Sequence, residues 1–165
     1  MAPHGIDLRC SAIVFRDDTV LLVHRPGDGA GTWALPGGTP REGEGMAACA
    51  RRELLEETGV SADPSRVAFV LEAVAPGASR HTLDIVFLVT GPAPGAEPQA
   101  REPGRQPHFV PAGQLGELEL RPPIAGYLRG LIGQGSRRHA PYLGNLWRPP
   151  DRAAARPGTA LARSA

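Results

Sequence analysis

Three carboxylates stand close together in Arg51-Arg52-Glu53-Leu54-Leu55-Glu56-Glu57-Thr58-Gly59. Residues three and four apart share a helix face, so on a helix Glu53, Glu56 and Glu57 fall within one arc of about 100°. Like charges at these spacings repel, at roughly a few tenths of a kcal/mol per pair. They also sit toward the helix C-terminus, where the dipole disfavours anions. A bound cation relieves both penalties. Carboxylate oxygens are hard ligands, suited to Mg2+ or Mn2+ rather than zinc. Mg2+ takes one or two of them, keeps several waters, and accepts further oxygens from substrate phosphates. The alternative is a solvated acidic face on a surface helix, and the helix alone leaves both readings open.

The wider spacing decides between them. Gly38 is followed after five residues by Glu44, and after seven more by Arg52-Glu53-Leu54, Glu56-Glu57 and Gly59-Val60. These 23 residues resemble the Nudix box with no departure at its fixed positions. The order of elements around the box extends the resemblance to about residues 8–133.

The resemblance implies an α/β fold, an α/β/α sandwich around a central mixed β-sheet, with the box as a loop–helix–loop. Family members hydrolyse nucleoside diphosphates linked to another moiety. The implied metal ligands are Glu53, Glu56 and Glu57, with the Gly37 or Gly38 carbonyl as a further oxygen and Mg2+ (or Mn2+) as cofactor. Glu44 and Arg52 are expected to brace each other and the acidic cluster. Gly38 and Gly59 are expected to allow tight backbone at either end of the helix. Arg25 sits where family members often bind phosphate, although an arginine capping a strand end is equally consistent with its position. Many members carry the catalytic base on the long loop after the third or fourth strand. Here that loop holds Glu102, with Glu97 and Glu53 as competitors. The chemistry is consistent: divalent ions polarise phosphates and lower the pKa of bound water, and a nearby carboxylate takes the proton.

These residues need a scaffold. Ser11–Phe15 and Val20–Val23 are β-favouring runs flanking Arg16-Asp17-Asp18-Thr19, which predicts a hairpin. Residues 43–58 contain no proline and stop at Gly59, which predicts a helix with a C-terminal glycine. Val67–Val74, Thr82–Thr90 and His108–Val110 read as strands. Pro123–Ile132 reads as a second helix, its apolar residues at helical spacing. The loop from Gly91 to Pro107 is too long for a simple turn. Asp84, mid-strand among apolar residues, lies on a solvated face or in a polar contact near the site. Cys49 reads as a buried filler, Trp33 as packing, and His24, His81 and His108 as ordinary surface or core histidines.

Composition fits one soluble domain, residues 1–136, followed by a Pro/Arg/Ala-rich extension over 137–165. All 18 basic residues other than histidine are arginine, which reads as coding bias. Residues 1–136 carry 12 Arg against 16 acids, whereas 137–165 carry 6 Arg against one acid. Such a tail can touch nucleic acid, but a solvated extension is the expected state and no nucleic-acid partner is expected. Tyr142, Leu143, Leu146 and Trp147 are too apolar for a free linker. The segment 140–148 is therefore expected to dock on the domain or on a second subunit, as in a homodimer, with residues from Arg152 onward disordered. Two cysteines make no disulfide framework, and no apolar run approaches a signal peptide core or the ~20 residues that span a bilayer. A cytoplasmic protein with a small-molecule nucleotide substrate and no membrane partner is expected.

The box specifies chemistry rather than substrate. Family members acting on 8-oxo-dGTP carry an Asn in the late segment where this chain has Arg121-Pro122-Pro123-Ile124. Members acting on ADP-ribose tend to have a proline about sixteen residues past the box, the distance of Pro76 from Val60. ADP-ribose or a nucleotide sugar is therefore favoured over nucleoside triphosphates. The competing class is a nucleotide-sensing module that binds without cutting. Such modules commonly lose box carboxylates, and this chain keeps all of them. Isomerisation of a prenyl diphosphate would need a Cys–Glu pairing that is missing from its expected context.

Overall fold

A computed structural model describes residues 5–27, 30–90, 95–134 and 141–149. Strands β1 (Asp7–Ile13), β5 (Gly37–Gly38), β6 (Pro64–Val74), β7 (His81–Val89) and β9 (Tyr142–Asn145) form a mixed sheet in the order β5-β1-β7-β6-β9. β1 runs parallel to β7 and β9 parallel to β6, while the β5–β1 and β6–β7 pairs are antiparallel. A second, antiparallel sheet joins β2 (Phe15–Arg16), β3 (Thr19–Arg25), β4 (Thr32–Ala34) and β8 (Gln106–Pro111) around β3.

Helix α1 (Met46–Thr58) seals one face of the mixed sheet. Cys49 and Ala50 pack with Cys10 and Phe87, and Leu54 packs with Ala12, Val14, Leu21 and Val89. Helix α2 (Ala125–Gln134) covers the opposite face, where Leu128 and Leu131 meet Ile13, Phe69, Leu71 and Val86. Helices on both sides of a mixed sheet give the expected α/β sandwich.

Several boundaries differ from the sequence reading, each for a local reason. The predicted hairpin is shorter: the chain leaves β1 at Val14, and only Phe15–Arg16 pairs back onto Thr19–Val20. The rest of β1 pairs with β7 instead, which buries Cys10–Ile13 on both faces. α1 starts at Met46 rather than 43. Gly43 has φ +74°, a left-handed conformation open to glycine, and the Glu44 amide closes a turn onto the Arg41 carbonyl. The helix ends at Gly59 (φ +71°), whose N–H caps the Leu55 carbonyl. α2 starts after Pro122-Pro123, neither of which can donate to a helical bond.

The extension contributes β9, which pairs with β6 of its own chain rather than needing a second subunit. Asn145 completes the edge: its Oδ1 accepts from the Val74 amide at 3.0 Å. Leu143 and Leu146 pack against the α2-side core. Both are partly buried, so Leu146→Ala should cost about 1–2 kcal/mol, below the range for a fully buried leucine. A urea midpoint that drops at constant slope would show it. The expectation of disorder from Arg152 onward lies outside the described residues. No helix among the described residues is long and apolar enough to cross a membrane.

Candidate active site

The box carboxylates divide by burial although they share one helix face. The side chain of Glu57 is 3% exposed, that of Glu53 15%, and that of Glu56 37%. Glu57 continues the inward stripe of Ala50 and Leu54, one turn on, so packing of α1 carries its carboxylate beneath β5. There the Gly37 amide donates to Oε2 at 3.0 Å, and Arg105 Nε donates to Oε1 at 3.0 Å. Arg25 Nη2 lies 3.7 Å from the same Oε1. Burial pushes the Glu57 carboxyl up from its ordinary value, against the Gly37 bond and the nearby Arg25, Arg9 and Arg105.

Arg52 organises the outer carboxylates. Its guanidinium donates to both oxygens of Glu44 at 2.7 Å, to Glu53 at 2.6 Å and to Glu56 at 2.9 Å. A bidentate guanidinium–carboxylate pair is geometrically specific as well as strong. It keeps Glu44 in place and takes up one oxygen of Glu53, Oε1, and one of Glu56, Oε2. Arg41 adds a bond to Glu56 at 2.9 Å, and its backbone N–H donates to Glu44. These bonds, that from Arg52 first, hold the Glu44 carboxyl at about 2.

A carboxyl depressed on folding stabilises the native state above its unfolded pKa and loses that contribution as pH falls. For Glu44 the window runs from 4.5 down to about 2. The urea midpoint of the metal-free protein should therefore fall across that window, and Glu44→Gln should flatten the slope. A slope unchanged in the variant would place the acid sensitivity elsewhere.

Gly37 and Gly38 are required by close approach, not by unusual φ. A Cβ on Gly38 would overlap the Glu53 carboxylate, and one on Gly37 would meet the backbone of Cys10 and Ser11. Gly38 thus belongs to a strand beside the cluster rather than to the helix end, which corrects the role read from sequence. Gly59 does hold the predicted helix-end position.

The long loop delivers a residue that sequence reasoning missed. Arg105 joins Glu57 at 3.0 Å to Glu102 at 3.9 Å, so Glu102 stands one guanidinium from the buried box carboxylate. A single arginine in a Pro/Gly-rich loop carries no periodic signal; only its three-residue spacing from Glu102 hinted at a pair. Glu97 points elsewhere: it pairs with Arg16 at 3.1 Å, and Arg16 in turn covers the Phe109 ring. Arg25 reaches the cluster from the end of β3, and its buried Nε has no hydrogen-bond partner among the described residues. Burial lowers the Arg25 pKa, as do the neighbouring charges of Arg9 and Arg105. Trp33 lies between the rings of His24 and His108, consistent with packing.

The NUDIX domain family model matches residues 7–131. The chain belongs to the Nudix family. A MutT NUDIX hydrolase from Burkholderia pseudomallei is 26% identical, with a TM-score of 0.58 over 67% of this chain and 86% of that one. The NUDIX domain of Shewanella oneidensis NrtR, solved with ADP ribose, shares the fold at 20% identity and TM-score 0.60, over 78% of this chain and 90% of that one. A bifunctional NMN adenylyltransferase/ADP ribose pyrophosphatase from Francisella tularensis, complexed with AMP and Mn ion, is 23% identical with TM-score 0.52, over 67% of this chain and 35% of that one. Residues 38–60, with Glu44, Glu53, Glu56 and Glu57, lie within the matched span.

The cluster suits a divalent cation. Its donors are hard carboxylate oxygens beside two glycine backbones, and their negative charge already draws the guanidiniums of Arg25, Arg41, Arg52 and Arg105. No group of three or more acidic, His or Cys side chains is drawn together as a finished metal cage among the described residues. Mg2+ seldom uses one, because waters and substrate oxygens complete its shell.

Proposed function

We propose that this chain is a divalent-metal-dependent hydrolase, Mg2+ or Mn2+, that cleaves the diphosphate linkage of a nucleoside diphosphate derivative. The observation that carries the reading is the buried Glu57 carboxylate beside the Gly37 amide, with Arg25 and Arg105 gathered on one of its oxygens. Glu53, Glu56 and Glu57 would hold the metal. When bound, it would supply charge neutralisation on the phosphates and a more acidic water.

The protein's own residues do the rest. Arg25 and Arg105 are positioned to bind phosphate oxygens, which develop charge as the anhydride bond breaks. Arg52 fixes Glu44, Glu53 and Glu56 so that the outer carboxylates need not reorganise during reaction. Water attacks one phosphorus and Glu102 takes its proton. The P–O bond to the bridging oxygen then breaks, and the departing phosphate keeps the electron pair. The products are two phosphate monoesters. Glu102 is favoured over Glu97 because Arg16 holds Glu97 away from the box. Glu102→Gln should lower kcat by about 10²-fold or more, the usual span for a general base. Glu97→Gln should stay within about twofold, well inside that span. Equal losses in the two variants would remove Glu102 from the role.

ADP-ribose or a nucleotide sugar is favoured over a nucleoside triphosphate. Pro76 supports this, as does Arg121-Pro122-Pro123 in place of a purine-reading Asn. The experiment is a Mg2+-supplemented panel of ADP-ribose, nucleotide sugars, dinucleoside polyphosphates and nucleoside triphosphates, followed by phosphate release in a coupled phosphatase assay. Turnover that disappears in Glu56→Gln supports the proposal. Nucleotide binding without any turnover would favour a sensing module instead.

A further inference from the structure

Away from the carboxylates, β1 and α1 bring together both cysteines of the chain and Met46. Cys10 lies on β1 in register with Gly38 on β5, and its side chain packs with Cys49 and Ala50 of α1. Met46 and Cys49 stand three residues apart at the start of that helix, a spacing that puts both on one face. Cys10 Sγ lies 3.5 Å from Met46 Sδ, and the Cys10 and Cys49 thiols are hydrogen-bonding neighbours. Sulfur from three side chains therefore converges between strand and helix. The setting is apolar: Cys10, Cys49 and Ala50 are fully buried, and Phe87 and Ile85 close the wall. Met46, 37% exposed, forms the mouth.

Such a donor set selects soft ions. Two thiols and a thioether suit Cu(I), whereas zinc sites are built from thiolate, imidazole and carboxylate, and Mg2+ takes oxygen. Metal–sulfur bonds run about 2.3 Å, so three sulfurs in a plane around one ion stand about 4 Å apart. From 3.5 Å, the Cys10–Met46 pair needs to open by only about half an ångström to reach that spacing. Methionine has three rotatable bonds and adapts readily. A charge partner is also in place. Two thiolates on Cu(I) carry one net negative charge, and Arg52 Nη2 stands 3.6 Å from Cys49 Sγ. The same guanidinium holds Glu44, Glu53 and Glu56, so a copper–thiolate unit draws on the cation that orders the box.

We propose that Cys10, Cys49 and Met46 form a soft-metal site that binds one Cu(I) ion through three sulfurs, separate from the carboxylate cluster. The ion enters past Met46. Each cysteine releases its proton to solvent as its Cu–S bond forms, and no electron is transferred. The site is independent of whether the box hydrolyses nucleotides.

The test titrates the full chain, reduced and metal-free, with Cu(I) buffered by a coloured chelator such as bicinchoninate. It is run without oxygen and with excess Mg2+, which occupies the carboxylates. Wild type should take one equivalent of Cu(I) from the chelator, and X-ray absorption at the copper edge should show sulfur neighbours alone. Cys49→Ser and Met46→Leu should each weaken retention by at least about tenfold, since even outer-shell changes at metal sites cost about 10–100-fold. Met46 is partly exposed and leucine is close to it in volume, so that variant keeps the test decisive if Cys49→Ser does not fold. Failure to take copper from the chelator, oxygen or nitrogen neighbours around the copper, or retention unchanged in either variant overturns the proposal and returns the three sulfurs to packing. Zn2+ held as tightly as Cu(I) would overturn it too, by removing the selection that the thioether imposes.

Discussion

Glu57→Gln is expected to lower kcat by about 10²–10³-fold, the range seen when one charged or polar group is removed from a preorganised site. The substitution keeps the shape of the side chain, and its amide oxygen can still accept from the Gly37 N–H. It removes the negative charge that faces Arg25 at 3.7 Å and Arg105 at 3.0 Å. A divalent cation, proposed above to be held by Glu53, Glu56 and Glu57, would then lose its most enclosed ligand. Stability should move little or rise, because burial works against the charged form of Glu57. A group whose folded pKa is raised weakens the native state as pH rises past its unfolded value, and the neutral amide lacks that term. The decisive pair of measurements is kcat at saturating Mg2+ and the urea midpoint of the metal-free protein near pH 8. Lost activity with a held or raised midpoint identifies Glu57 as functional. Parallel loss of both would reduce it to a structural brace.

The helix wheel placed Glu53, Glu56 and Glu57 together, and the structure keeps them on one face of α1. Their unequal burial was not legible, because all three look alike on a wheel. Only the docking of Ala50 and Leu54 against the sheet decides that Glu57 goes under β5. The same limit explains β5. Gly37-Gly38 has no strand propensity and pairs with Cys10 and Ser11, some 27 residues away in sequence, for reasons of close approach. Residues 11–15 read as one arm of a hairpin because the turn residues Asp17-Asp18 are a strong local signal. The competing parallel pairing with β7 is long-range and leaves no mark in a short window. Asp84 was flagged as anomalous within its strand. Its alignment with Arg9 and its place at a cavity come from strand register, which sequence periodicity does not encode. Arg105 escaped notice for the reason that makes it informative: it lies in an irregular loop, where position is set by tertiary contact alone.

The two glycines before the box separate packing from chemistry. Gly38→Ala places a methyl group on the Glu53 carboxylate, the far end of a flexible side chain. Glu53 can swing aside at little cost in stability, but it then leaves Arg52 and the position from which it would ligate a metal. Displacement of about 1 Å at a reacting centre costs on the order of 10²-fold in rate. Gly38→Ala should therefore fold normally and lose about that much kcat. Gly37→Ala meets something that cannot swing aside: the new Cβ would stand 2.5 Å from the Cys10 carbonyl oxygen and 2.7 Å from the Ser11 Cα. Forcing β5 away from β1 should cost about 1–3 kcal/mol, as overpacking of a tight interior does. It also pulls the Gly37 amide off Glu57. The pair of variants thus predicts opposite patterns, one inactive with a native urea midpoint and one with a lowered midpoint. Should Gly38→Ala keep full activity, Glu53 does not act from the place it occupies beside β5, and the ligand set proposed for this box must be redrawn around Glu56 and Glu57.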